Sequence, residues 1–255
     1  MKINRYLLIP FLAGHLFISG LTPASGRDED LSPLLDKITK QLNSHSDSNW
    51  TYKATNKIYE MDKQWKPEKT TITTAVIKEI DGELSGEMLK AEEIENDIAK
   101  DVTPKYAEQA KKQIEDANRQ RMEGKDQETS DDSSDAFLPF SESKRSKFVF
   151  NRLDDTAIDG RAVLIIEAKA KEKNEQLFEG KFYIDQFTYE VLKAQIKPSK
   201  NPRFVKEMDI DIDFEVLPEG RFYRRRSLTR INGGILFKHF RVIVEQEYSD
   251  VKVLD

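Results

Sequence analysis

The stretch "FVKEMDIDIDFEVLP" constrains this chain more than any other. Met208, Ile210, Ile212, Phe214 and Val216 take every second position, and Glu207, Asp209, Asp211, Asp213 and Glu215 fill those between. A side-chain period of two sends the first set to one face of a β-strand and the second to the other. The segment therefore reads as a strand with one apolar and one wet face. The same alternation recurs. "RAVLIIEAKAK" puts Ala162, Leu164, Ile166 and Ala168 on one parity, and "ILFKHFRVIVEQEYSDV" does so with Leu236, Phe240, Val242, Val244 and Tyr248. Between them lie "QLFEGKFYID", "YEVLKAQIK" and "RFYRRRSLTRI", separated by the turn-like "AIDG", "KEKNE", "DQFT", "PSKNP", "LPEG" and "NGG". Connections this short join antiparallel neighbours, so the chain from Lys147 onward is expected to form a meander.

The first half is less uniform. "LSPLLDKITKQLN" predicts a helix: Ser32 can cap it, Pro33 suits the first turn, and Leu34, Leu35, Ile38 and Leu42 make one apolar stripe. "NWTYKATNKIYEM" and "TTITTAVIKEIDGEL" return to period two, with Trp50, Tyr52 and Ala54 on one parity and Ile72, Thr74, Val76 and Ile80 on another. From about 87 to 124 the chain is rich in Ala, Glu, Lys and Gln, which predicts a charged helical insert divided at Pro104. Its apolar stripe is thin, as on a helix lying over a surface. The acidic, serine-rich segment at about 125–135 has nothing to bury and is expected to be a disordered loop. "AFLPF" then returns to the body.

Residues 1–24 have the layout of a signal peptide: a basic start "MKINR", an apolar core, and small residues before a cleavage point after Ala24 or Gly26. Pro10 and Gly14 interrupt the apolar run, which is shorter than the roughly 20 residues of a membrane span. Residues 25–255 are then expected to be one exported, periplasmic domain without a transmembrane span. The chain has no cysteine, which excludes disulfides, a thiol nucleophile and thiolate metal sites, and its net charge of -5 argues against nucleic acid as partner.

Catalytic signatures are missing. His45 and His239 lie in no triad-like setting, and there is no nucleophile elbow, zinc-binding helix motif or phosphate-cradling glycine loop. "DIDID" lacks the glycine of a calcium loop and has Gly220 at the twelfth position, where a glutamate belongs. The expectation is a non-enzyme with no cofactor and no metal. Arg224 and Arg226 share parity with Phe222 and Leu228, which simple pairing with the acidic stripe does not explain. Either a bulge separates them or they sit at a cavity rim, as candidate contacts for an anion or a lipid head group.

The segments "GKFYIDQFTYEVLKAQI", "FVKEMDIDIDFEVLPEGRFY" and "FRVIVEQEYSDV" resemble the periplasmic outer-membrane lipoprotein-sorting and lipoprotein-carrier superfamily, which includes LolA, LolB and the amino-terminal domain of RseB. The likeness covers roughly Lys147 to Val253, and Trp50 to Leu84 loosely. It implies an α+β fold: a curved, incomplete antiparallel β-barrel whose concave apolar face is covered by helices. It also implies a carrier for a lipid or lipidated protein, with acyl chains against Ile184, Leu192, Met208, Ile210, Ile212, Phe214, Phe240 and Val242. The helix at Pro33–Leu42 and the charged insert would form the lid. The alternative is a non-enzymatic envelope module that binds a protein partner or senses stress.

Overall fold

The alternating segments pair into one sheet. The computed structural model describes residues 30–43, 49–81, 83–122, 137–217, 222–235 and 238–254. The signal-peptide residues, the 125–135 segment, His45 and Leu236 lie outside them. In chain order come α1 (Ser32–Asn43), β1 (Trp50–Met61), β2 (Pro67–Ile80), β3 (Glu83–Glu95) and β4 (Ile98–Asp101). Next are α2 (Thr103–Met122), the one-turn α3 (Glu142–Arg145), β5 (Phe148–Arg152), β6 (Thr156–Ile158) and β7 (Arg161–Ala170). The chain ends with β8 (Phe178–Asp185), β9 (Val191–Pro198), β10 (Val205–Val216), β11 (Phe222–Ile235) and β12 (Lys238–Val253).

The strand order is β4-β3-β2-β1-β12-β11-β10-β9-β8-β7-β5, with β6 also on β7, and the pairings are antiparallel. The last strand returns to pair with the first, which puts β1 and β12 in the middle of the sheet. β4 and β5 stay at opposite edges, so the sheet is an incomplete barrel.

Directly opposed residues of an antiparallel ladder share a face. The row Ala91, Thr73, Asn56, Gln246, Ser227, Ile212, Ala194, Phe182 and Ile166 is opposed in this way from β3 across to β7. Both longer helices pack on the face it defines, the concave one. α1 inserts Leu35, Ile38 and Leu42 with Leu138 and Phe140 against β7–β10. α2 sets Tyr106, with the adjoining Val102, on Ala91 and Met88 of β3. Residues 137–140 of "AFLPF" thus dock back as expected: Phe140 meets Phe182 edge to face at 5.1 Å and stacks on Phe150 at 6.0 Å.

α1 is locked in place. Thr39 Oγ lies 2.9 Å from the Leu35 carbonyl and 2.5 Å from that of Phe140, and accepts from Arg145 Nη2 at 2.7 Å. Arg145 also donates to Asp36 Oδ1 at 2.6 Å.

The charged insert departs from its sequence reading. Residues 83–95 and 98–101 are strands, and helix begins only at Thr103, with Pro104 inside its first turn, where its missing N–H costs nothing. The glutamates and lysines of β3 favour helix by propensity, but pairing along β2 decides, because strand preference is set by neighbours. The hairpin signal is Asn96-Asp97, both at positive φ (50° and 62°), between the paired Glu95 and Ile98. On β2 the concave residues are Thr71, Thr73, Ala75 and Ile77, not the Ile72 parity. "NGG" lies within β11 rather than at its end. A Cβ on Gly233 would come within 2.4 Å of the Phe204 carbonyl and 2.3 Å of the Phe240 ring, so only glycine fits.

Candidate functional site

Between the two helices the concave face changes character. On β1 and β12 the opposed pairs are Ala54–Tyr248, Asn56–Gln246 and Ile58–Val244, all half-buried. β2 adds Ala75, Thr73 and Thr71 to these rows, and β11 adds Ser227 beside Gln246 and Thr229 beside Val244. This half-buried stretch, the trough, lies between α2 on β3 and the α1–Phe140 plug on β7–β10.

Aromatic rings fill one end. Trp50 and Tyr52 lie 4.8 Å apart and Tyr52 and Tyr248 5.3 Å apart. The Arg224 guanidinium lies over the Tyr248 ring at 5.1 Å and the Phe137 ring at 5.8 Å, and donates to the Tyr248 hydroxyl. Phe137 in turn meets Phe178 edge on at 4.9 Å, so this cluster ties the trough to the packed core.

Across the middle runs a polar ladder. Ser227 Oγ donates to Gln246 Oε1 at 3.2 Å, and Gln246 Nε2 donates to Asn56 Oδ1 at 3.1 Å.

Polar contacts fasten α2 at both ends. Asn118 bonds the Leu84 backbone twice, accepting from its N–H at 2.9 Å and donating to its carbonyl at 2.7 Å. At the other end Glu93 takes Lys105 at 2.8 Å, Lys69 at 3.2 Å and the Tyr106 hydroxyl at 3.1 Å. The hydrogen bond from Lys105, helped by Lys69, holds the Glu93 carboxyl down to about 2 against a burial that would raise it. Glu93→Gln is expected to cost only about 1 kcal/mol, because Lys105 is 44% exposed and solvent screens its pair. Hydrogen exchange should show faster opening of α2 with the β7–β10 core unchanged.

The residues singled out in the sequence divide between several places. Ile184, Met208, Ile210, Ile212 and Phe214 lie on the concave face but are packed beneath α1 and Phe140 in the core. Leu192 lines, with Val191, Phe214, Arg161 and Glu190, a pocket of about 380 Å³. It opens where β9 and β10 diverge beyond the Lys193–Asp213 pair. Val242 continues the same row but is buried, whereas Phe240 is half-buried and covers Gly233. Phe214 opposes Arg224 while Asp213 opposes Arg226, so Arg225 is the extra residue of a bulge. Arg224 therefore reaches the concave face. Arg226 lies on the convex one, 3.9 Å from Glu245. There the acidic stripe pairs across strands, with Arg230 on Asp211 at 2.9 Å. Sequence reasoning missed Asn56, Gln246 and Ser227, whose alignment needs the β1–β12–β11 register. Among the described residues no group of three or more His, Asp or Glu is placed to hold a metal, and no helix is long and apolar enough to cross a membrane.

No family model and no curated protein matches the chain. Several solved structures are similar to it. A putative outer membrane lipoprotein-sorting protein domain from Vibrio parahaemolyticus is 12% identical over 86% of this chain and 91% of its own, with a TM-score of 0.39. A DUF1329 family protein from Desulfovibrio piger is 11% identical over 88% and 92%, with a TM-score of 0.37. A LolA superfamily protein from Nitrosomonas europaea is 9% identical over 87% and 94%, with a TM-score of 0.35. The likeness concerns chain path.

Proposed function

We propose that the protein is a non-enzymatic periplasmic carrier that holds an acyl chain of a lipid or lipidated protein in the trough between α2 and the α1–Phe140 plug. One observation carries this reading: apolar rows on β1 and β12 stay half-exposed on the concave side, where a folded sheet normally buries them. Ile58, Val244 and Phe240 offer hydrocarbon contact, Val242 lies buried in the same row, and Tyr52 and Tyr248 close one end. Each buried CH2 contributes about 0.8 kcal/mol, so one chain gives useful affinity without a reacting group. Leu192 lies apart from this surface, in the pocket between β9 and β10 that Arg161, Glu190 and Glu215 also line. The core residues from Ile184 to Phe214 would join the trough only if the plug moved. Arg224, beside the aromatic end, is the candidate for a head-group contact.

The test is native mass spectrometry on protein exported to a periplasm and purified without detergent. Adducts of lipid mass that extraction identifies support the carrier. A clean mass that stays clean after incubation with phospholipid and lipopeptide sinks it. The second reading, an envelope module that binds a protein partner, has one feature in its favour. Edge strand β4 is exposed throughout and Ile98 is 71% accessible, a surface open to strand addition. Pull-down of an envelope protein lost in Ile98→Asp, with no lipid adduct, would establish it.

A further inference from the structure

We infer that the Ser227–Gln246–Asn56 ladder recognises a neutral carbonyl, the ester or amide that joins an acyl chain to its head group. This rests on the acyl-binding reading above and names what that site selects. The ladder crosses the trough between two rows that are no better covered than itself. Alternate side chains on one strand face stand about 6.8 Å apart, so Tyr248 lies that far to one side and the Ile58–Val244 pair that far to the other. Asn56 and Gln246 are half-buried like the apolar pairs on either side, and Ser227 is buried, so exposure to water does not by itself account for a polar row here.

The direction of the hydrogen bonds says which ligand group fits. Ser227 donates to the Gln246 oxygen, and the Gln246 amide donates to the Asn56 oxygen. The oxygens are thereby used, and donors remain. Among the described residues nothing accepts from Asn56 Nδ2, and Gln246 Nε2 has a second N–H without a partner. An amide N–H covered by an acyl chain loses water and needs an acceptor. Bare hydrocarbon offers none. An ionised carboxylate would want a cation beside it, and the ladder has only neutral amides and a hydroxyl. An ester or amide carbonyl with alkyl on one side supplies the acceptor and the apolar flank together.

The experiment compares a monoacylglycerol with the alkyl-ether glycerol of the same chain length, ligands that differ in one carbonyl. Dissociation constants are measured by calorimetry on the delipidated full chain. The wild type should bind the ester about five- to tenfold more tightly. Asn56→Leu and Gln246→Leu should each bring the ester down to the ether and leave the ether affinity within about twofold. Asn56→Asp, which replaces the free donor by an acceptor, should lose the preference too, and thermal melts of all variants report on folding. Equal affinity of wild type for ester and ether overturns the carbonyl inference and leaves the acyl carrier standing. A preference that survives all three substitutions overturns it as well. Failure of both ligands to bind removes the carrier reading itself.

Discussion

Phe140→Ala should lower the free energy of unfolding by about 3–5 kcal/mol, the range for removing a fully buried aromatic ring. Phe140 is 0% exposed and is the keystone of the plug. It meets Phe182 and Phe150, and its backbone carbonyl is the acceptor that ties α1 down through Thr39. The segment 137–140 makes no strand with the sheet, so side-chain packing is most of what holds it. The measurement is urea unfolding followed by circular dichroism. The midpoint should fall with little change in slope, as expected when stability changes and the exposed area does not. A loss below about 1 kcal/mol would mean that the plug is only loosely seated. In that case Ile184, Ile212 and Phe214 beneath it would count as cavity wall rather than core.

That distinction between core and cavity is what the sequence could least supply. Met208, Ile210, Ile212 and Phe214 announce a strand face by their spacing alone, and the strand is there. Whether the face lies under a helix depends on Leu35, Ile38 and Phe140, which arrive from distant parts of the chain. The shared parity of the arginines and Phe222 left a bulge and a cavity-rim position both open, and only the register places the bulge, at Arg225. The two-strand start of the insert was not. Its composition is that of an exposed helix, and the Asn96-Asp97 hairpin lacks the glycine that usually marks such turns. The polar ladder was hidden for another reason. Asn56 sits in "KATNKIY" as an ordinary surface residue, and it becomes part of a row only when β12 pairs with β1 across almost the whole chain. Strand spacing is local and survives in the sequence, whereas the register between the first and last strands is a property of the whole sheet.

The "YIDQFTYEV" hairpin makes the second large expectation: Asp185→Ala should destabilise the protein by about 2–4 kcal/mol at neutral pH, given hydrogen bonds to a charged acceptor. Asp185 ends β8 as a buried carboxylate, accepting from the Phe187 and Thr188 amides at 2.8 Å each and from Arg161 Nε at 2.7 Å. Tyr189 takes a positive φ of 61° in the same turn, so the side chain stabilises a loop that the backbone alone holds poorly. Burial pushes the carboxyl up, but the two amides and Arg161 together hold it below the ordinary range. The sign follows from that direction. A group more acidic in the folded state than in the unfolded one contributes fully above its unfolded value, near 4, and loses the contribution as pH falls through the folded value. Melting temperatures of wild type and Asp185→Ala should therefore differ most at pH 7 and converge as the pH drops below about 4. Asp185→Asn separates the two causes. It keeps an oxygen for the amides and loses the charge facing Arg161, which is itself partly solvated and also bonded to Glu190 at 2.8 Å. If the turn dominates, Asn should retain most of the stability at neutral pH. If the ion pair dominates, Asn should fall as far as Ala, and the hairpin would owe its shape to the charge on Arg161 rather than to the amides it encloses.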